Sequence, residues 1–175
     1  MKKLIQILLV ISSFFSNDIL IGQGNSSSNT NKVEKEDIKK FIGKWSGTLT
    51  YLDYTSRKPY TMPCELTIEG KRKNKKLILN YSYPNEPKAN NKGKIKFSNN
   101  GISINKKDIT SKAMNTEGQL EILLEYPDKD GNNRKKALVR NIYKIGSKNL
   151  TIRKEVKFED STEWIMRNEY SFKKK

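Results

Sequence analysis

The sequence predicts an all-β protein: an antiparallel up-and-down β-barrel of about 8–10 strands, with a short N-terminal helix closing one end. Three observations carry this reading. From Lys44 onward, apolar residues recur with period two in one run after another. Turn-forming residues separate the runs every 8–14 positions. After Gly43 no helical pattern is long enough to cross between parallel strands.

The helix is expected over Lys35–Ile42, where Ile38, Phe41 and Ile42 fall at i, i+3 and i+4 and share a face, and Gly43 ends it. The first strand is Lys44–Tyr54, with Trp45, Gly47, Leu49 and Tyr51 in phase, followed by a turn over Ser56–Pro59. Tyr60–Glu69 alternates Met62, Cys64, Leu66 and Ile68 against polar residues and Pro63. The basic run Lys71–Lys76 reads as a charged hairpin loop before Leu77–Tyr83, which Pro84 and Pro87 terminate. Short strands at Lys94–Ser98 and Ile102–Asn105 flank Asn99-Asn100-Gly101, a hairpin signal. Residues 106–116 read as an irregular connection. Gln119–Tyr126 follows, then a turn over Pro127–Asn133, then strands Lys135–Ile145, Asn149–Phe158 and Glu163–Lys173. A sheet with this many strands carries an edge problem that closure removes.

The first 22 residues read as a secretory signal peptide and not as part of the fold. Lys2 and Lys3 start it, Leu4–Ile11 is apolar apart from Gln6, and Gly22 ends a plausible cleavage region. The apolar stretch is shorter than the roughly 20 residues of a membrane span. Residues 23–34 then form a flexible leader, since Gln23–Lys32 contains no large apolar residue, and the folded domain covers 35–175. The expected location is therefore outside the cytoplasm: periplasmic, cell-surface or secreted, with no integral membrane segment after processing.

The charge is extreme. Thirty-five Lys and Arg stand against 19 Asp and Glu, a formal net charge of +16. Lysines outnumber arginines 29 to 6, and the basic residues are spread along the whole chain. Base-reading sites favour the arginine fork, so no nucleic-acid partner is expected. Eighteen Asn and 18 Ile accompany the lysines, which is the signature of A/T-rich coding. So basic a surface suits an anionic envelope component as a partner.

Chemistry is scarce. The chain has no histidine and one cysteine, which removes His relays, His metal ligands and any internal disulfide. Cys64, between Met62 and Leu66 in phase, reads as a buried inert thiol. Asp128–Asn133 resembles a calcium loop only faintly, because Asn133 and Val139 stand where Gly and Glu are needed. No nucleophile elbow, P-loop or dinucleotide signature occurs, so neither an enzyme nor a cofactor is expected. Asp53, in phase with Trp45 and Tyr51, is the one inward carboxylate that stands out.

Gly43-Lys44-Trp45, placed between a helical turn and the first strand, resembles the Gly-x-Trp entry of the calycins: lipocalins, fatty-acid-binding proteins and their bacterial lipocalin-like relatives. The resemblance implies a barrel whose floor is filled by Trp45, with a basic side chain from the last strand packed across the indole. Arg167 is the candidate, through a cation–π contact. The chain lacks a C-terminal helix beside the barrel, a disulfide and a Thr-Asp-Tyr-like motif, so the likeness is to the bacterial type. It implies a carrier of a small hydrophobic or amphipathic molecule. The expected lining is Leu49, Tyr51, Leu66, Leu79, Tyr81, Ile122, Leu124, Val139 and Ile152, joined by tyrosines that pair an apolar ring with a polar tip. The alternative is a non-catalytic module with a solid barrel, whose basic exterior contacts an anionic envelope polymer or a protein.

Overall fold

The computed structural model describes residues 31–53 and 58–175. The expected signal peptide, leader residues 23–30 and the tip of the Ser56–Pro59 turn lie outside the described residues. One helix, α1 (Lys35–Phe41), precedes eleven strands. These are β1 (Gly43–Asp53), β2 (Lys58–Lys71), β3 (Lys76–Ser82), β4 (Asn91–Lys96), β5 (Ser103–Ile104), β6 (Lys107–Asp108), β7 (Ser111–Met114), β8 (Leu120–Asp130), β9 (Lys135–Ile145), β10 (Asn149–Phe158) and β11 (Ile165–Lys174).

Nine strands form one antiparallel sheet in the order β4-β3-β2-β1-β11-β10-β9-β8-β7. Every neighbour is consecutive in sequence except the central pair, β1 and β11, so the topology is the expected up-and-down meander. The sheet curls into a half-barrel. Its edges, β4 and β7, do not pair with each other. Between them runs the two-stranded ribbon β5–β6, tied to the end of β4 by a single bridge from Phe97 to Ile104. On the other side Thr110 donates its N–H to Leu123 of β8 at 2.8 Å. Strands β6 and β7 lie where an irregular connection was expected.

The core follows the period-two pattern. Trp45, Leu66, Ile68, Leu77, Ile122, Leu150 and Phe172 point inward and are buried. At the end where β1 begins, α1 covers the opening. Its Phe41 ring meets Phe97 and Tyr143 at centroid distances of 6.2 and 6.0 Å. Trp45 Nε1 donates to the Phe41 carbonyl at 2.9 Å, which satisfies the indole N–H and pins the helix C-terminus to the floor. Glu34 and Asp37 form a capping box, and Lys112 of β7 reaches Asp37 at 2.7 Å. Val33 is buried, and its N–H donates to the Gly101 carbonyl at 2.9 Å. A single β-branched side chain with a core slot outweighs the polar residues around it.

Two local expectations change. Pro127 does not start a turn; β8 continues to Asp130 opposite Lys135, and only Gly131–Arg134 turn. Pro63 is accommodated because the β2–β3 ladder begins only at Glu65, so its missing N–H costs no bond on that side. On the convex face, Arg140 bonds Glu125 at 2.6 Å and approaches Glu155 at 3.8 Å, and Arg153 reaches Glu169 at 3.1 Å.

Gly47 is where β1 and β11 approach too closely for a side chain. A Cβ there would lie 1.9 Å from the Ser171 carbonyl oxygen and 2.8 Å from Phe172 Cα. Gly47→Ala is expected to destabilise the protein by about 2–3 kcal/mol in urea unfolding, from backbone displacement at this seam. Unchanged stability would show that the seam is looser than the geometry states.

Candidate functional site: the concave face

The register arranges the inner face of β1, β2 and β8–β11 in rows. Nearest the floor, Cys64, Gly47, Phe172, Leu150, Ile145 and Leu120 lie side by side. The next row is Met62, Leu49, Tyr170, Ile152, Tyr143 and Ile122. The third, toward the mouth, is Tyr60, Tyr51, Asn168, Lys154, Asn141 and Leu124. The face therefore grades from closed apolar packing at the floor to a polar, cation-bearing rim.

Aromatic rings dominate the middle. Tyr81 and Tyr170 stand 4.9 Å apart, Tyr170 stacks on Phe172 at 5.9 Å, and Tyr51 meets Tyr60 at 5.6 Å. The Tyr83 and Tyr170 hydroxyls share a hydrogen bond of 3.1 Å, and Asn141 Nδ2 donates to the Tyr126 hydroxyl at 2.8 Å. Burial pushes the Tyr81, Tyr143 and Tyr170 hydroxyls above their ordinary value, so they remain neutral hydrogen-bonding groups at physiological pH. Burial likewise raises the Cys64 thiol to about 11, which leaves it unreactive as a nucleophile.

The nine expected lining residues divide. Leu66, Leu79, Ile122 and Leu124 are fully buried in the main core. Val139 packs in a separate small cluster with Ala137 and Val156. Leu49, Tyr51, Tyr81 and Ile152 are packed against the core but only partly buried, and Tyr126 and Tyr170 share that state. Gly43 opens β1 at φ 143° beside the floor, and Trp45 fills the floor.

Arg167 does not lie across Trp45. The floor indole is covered by Lys174, whose Nζ stands 5.1 Å from the ring centroid and whose Cα is the register partner of Trp45. Among the described residues an arginine stands over the other tryptophan, with Arg140 3.9 Å above Trp164. Arg167 sits at the mouth end because of a bulge. The β10–β11 register skips it, passing from Lys154–Asn168 to Glu155–Met166. The extra residue turns Arg167 away from solvent without displacing Tyr170 and Phe172. There its guanidinium bonds Asp130 at 2.9 Å and lies 5.4 Å from the Phe158 ring.

Asp130 gathers the rim charges. Lys154 Nζ reaches its other oxygen at 2.6 Å, and the Gly131 N–H donates to it at 2.7 Å. Burial alone would raise the Asp130 carboxyl, but Lys154, Arg167 and the Gly131 N–H outweigh burial and hold it below 3.8. Two cations share one carboxylate, which leaves the rim with positive charge. Asn141, Lys154 and Asn168 are absent from the expected lining, although each stands on the apolar phase of its strand. Such an out-of-pattern polar residue on three adjacent strands is the signal that marks the row.

The fold and its inner face define an all-β protein with a tyrosine-rich, concave half-barrel. Among the described residues no helix is long and apolar enough to cross a membrane. No family model matches the chain, and no curated protein matches it. Among solved structures, it is similar to a protein of unknown function of the DUF3598 family from Nostoc punctiforme PCC 73102. The likeness covers 82% of this chain at 11% identity with a TM-score of 0.39. The chain spans half the length of that protein.

Because the folded pKa of Asp130 is depressed, its contribution to stability is complete above about pH 5 and is lost as pH falls below 3.8 through the folded value. Asp130→Asn is expected to cost about 2–3 kcal/mol at neutral pH, less than a fully enclosed pair because Lys154 keeps contact with water. In urea unfolding, that difference from wild type should narrow at pH 3. An equal difference at both pH values would remove the ion pairs as its cause.

Proposed function

We propose that this chain is an exported, non-enzymatic, lipocalin-like binding protein that holds a small amphipathic molecule on its concave face. The observation that carries the reading is the graded inner face. Leu49, Ile152 and Tyr170 point into the curl yet remain partly exposed, directly beneath a row bearing Asn141, Lys154 and Asn168, and the partly exposed Tyr81 packs on Tyr170. Side chains on the core phase of a sheet that stay partly open, next to polar groups at one end, match an occupant with an apolar body and a polar or anionic head. Tyrosines suit such a contact because a ring supplies area at small entropic cost and the hydroxyl supplies a hydrogen bond. The calycin-like entry Gly43-Lys44-Trp45 and the helix seated on the floor support the same reading.

The direct test is native mass spectrometry on protein recovered from its host's envelope fraction. The expected result is a bound small molecule that is lost on denaturation. Ile152→Trp, which fills the middle of the face, should lower occupancy at least about tenfold while the fold persists; Lys154→Ala should weaken binding of anionic ligands more than neutral ones. Wild-type protein that binds no ligand and no apolar fluorescent probe, with Ile152→Trp indistinguishable from it, would sink the proposal.

Export is tested separately. The reading expects the recovered protein to begin at Gln23, as N-terminal sequencing would report. An intact Met1 in soluble cytoplasmic protein would refute export without touching the ligand reading.

A further inference from the structure

The two ends of the half-barrel differ sharply in charge. The floor end comprises α1 with its flanks (32–44), the turns at 71–76, 96–102, 115–119 and 146–149, and the C-terminal residues 173–175. These segments hold fifteen Lys or Arg against four Asp or Glu, a net charge of +11. The mouth end comprises Asp53, Lys58, the connections at 83–90, 130–135 and 159–164, and the rim cations Lys154 and Arg167. There the described residues hold six basic against six acidic side chains, a net charge of zero. A lysine-rich composition accounts for the total charge. It does not account for the partition between the ends.

Several floor cations are not spent on structure. Lys32, Lys39, Lys40 and Lys71 pair with Glu34, Glu36, Asp37 and Glu69, but Lys35, Arg72, Lys73, Lys76 and Lys96 make no ion pair among the described residues. The β2–β3 turn holds Arg72, Lys73 and Asn74 at φ 53°, 56° and 66°. Glycine would occupy these left-handed positions at less cost, so backbone preference does not explain the basic residues there. Lys32, Lys35, Lys73 and Lys75 line one open pocket of about 300 Å³ beside the N-terminal end of α1.

The floor also exposes apolar side chains. Among the described residues three large hydrophobic side chains are exposed. Tyr60 belongs to the mouth row. Ile102, at 47%, and Met114, at 59%, lie in the 96–102 connection and at the end of β7 before the 115–119 turn. Protruding apolar residues set in a basic surface are the combination by which a protein rests on an anionic bilayer. Lysines meet the headgroups, and the apolar tips enter the boundary beneath them. A soluble polyanion offers the charge but no apolar layer.

We infer that the floor end docks on an anionic phospholipid surface, with Ile102 and Met114 entering the interface and the mouth turned away from the membrane. The inference stands independently of what the concave face holds. The test is sedimentation of the protein, as recovered from cells, with phosphatidylglycerol–phosphatidylcholine vesicles and with pure phosphatidylcholine vesicles. Binding should require phosphatidylglycerol and weaken as salt is raised. Arg72→Glu/Lys73→Glu/Lys76→Glu should reduce it by at least about 100-fold. The mouth control Lys88→Glu/Arg134→Glu/Lys135→Glu should leave it within about twofold. Ile102→Ser/Met114→Ser should weaken vesicle binding at least about tenfold while leaving any affinity for dextran sulfate unchanged. Every substituted position is exposed except Lys76, the half-buried first residue of β3, and circular dichroism confirms that each variant is folded. Binding to neutral vesicles alone, equal loss in the floor and mouth variants, or no vesicle binding would overturn the inference. So would binding of dextran sulfate and vesicles alike, with no effect of the serine variant, which would assign the floor to a soluble polymer.

Discussion

The pairing of β1 with β11 is the constraint on which the remaining structure depends. Among the described residues it is the one ladder between strands distant in sequence, and it joins the β1–β4 half of the sheet to the β7–β11 half. Its register, from Trp45–Lys174 to Tyr51–Asn168, fixes the floor indole under a cation and the tyrosine rim beside the amide of Asn168. The seam is so close at Gly47 that no other residue fits without displacing backbone. The outer edges are linked far more loosely, by the short β5–β6 ribbon and one bridge. The half-barrel is therefore joined along its spine by a continuous ladder and between its edges by a short ribbon whose Ile104 enters the core.

The rim shows how such a face carries charge at tolerable cost. A buried guanidinium is expensive unless compensated, and here Asp130 compensates Arg167 while also receiving Lys154 and a backbone N–H. The β-bulge makes this possible. It shifts one side chain across the sheet plane without changing the phase of Tyr170 and Phe172 below it. At the floor a neutral pair does similar work, where the Trp45 N–H finds the Phe41 carbonyl at the helix end.

Much of the fold was legible because period-two alternation is a direct consequence of strand geometry, and the residues from Trp45 to Phe172 obey it. The lining was half legible. Alternation identifies which side chains point inward, but it cannot separate Leu66, sealed in the floor, from Ile152, left partly open, because that depends on height along the barrel and on what closes above. The bulge at Arg167 was hidden for a related reason: strict alternation placed Arg167 on the face opposite Tyr170 and Phe172, and only the skipped register brings it inside. The assignment of Arg167 to Trp45 failed on distance along β11, since Arg167 stands seven positions from the Lys174 that covers the indole. Strands β6 and β7 escaped notice because each is shorter than one full alternation pattern.

The order of the strands in the sheet bears on how the chain reaches this structure. As synthesis proceeds, β2 to β4 have a neighbour at once, and so in turn do β8, β9 and β10. Strand β1 meets its second partner only when β11 has emerged. Until then its free edge and the inner faces of both halves are open to water and to other chains, so the nascent protein passes through a long interval in which aggregation competes with folding. Partners that shield exposed strands during that interval should set its yield in the cell more strongly than the stability of the finished half-barrel.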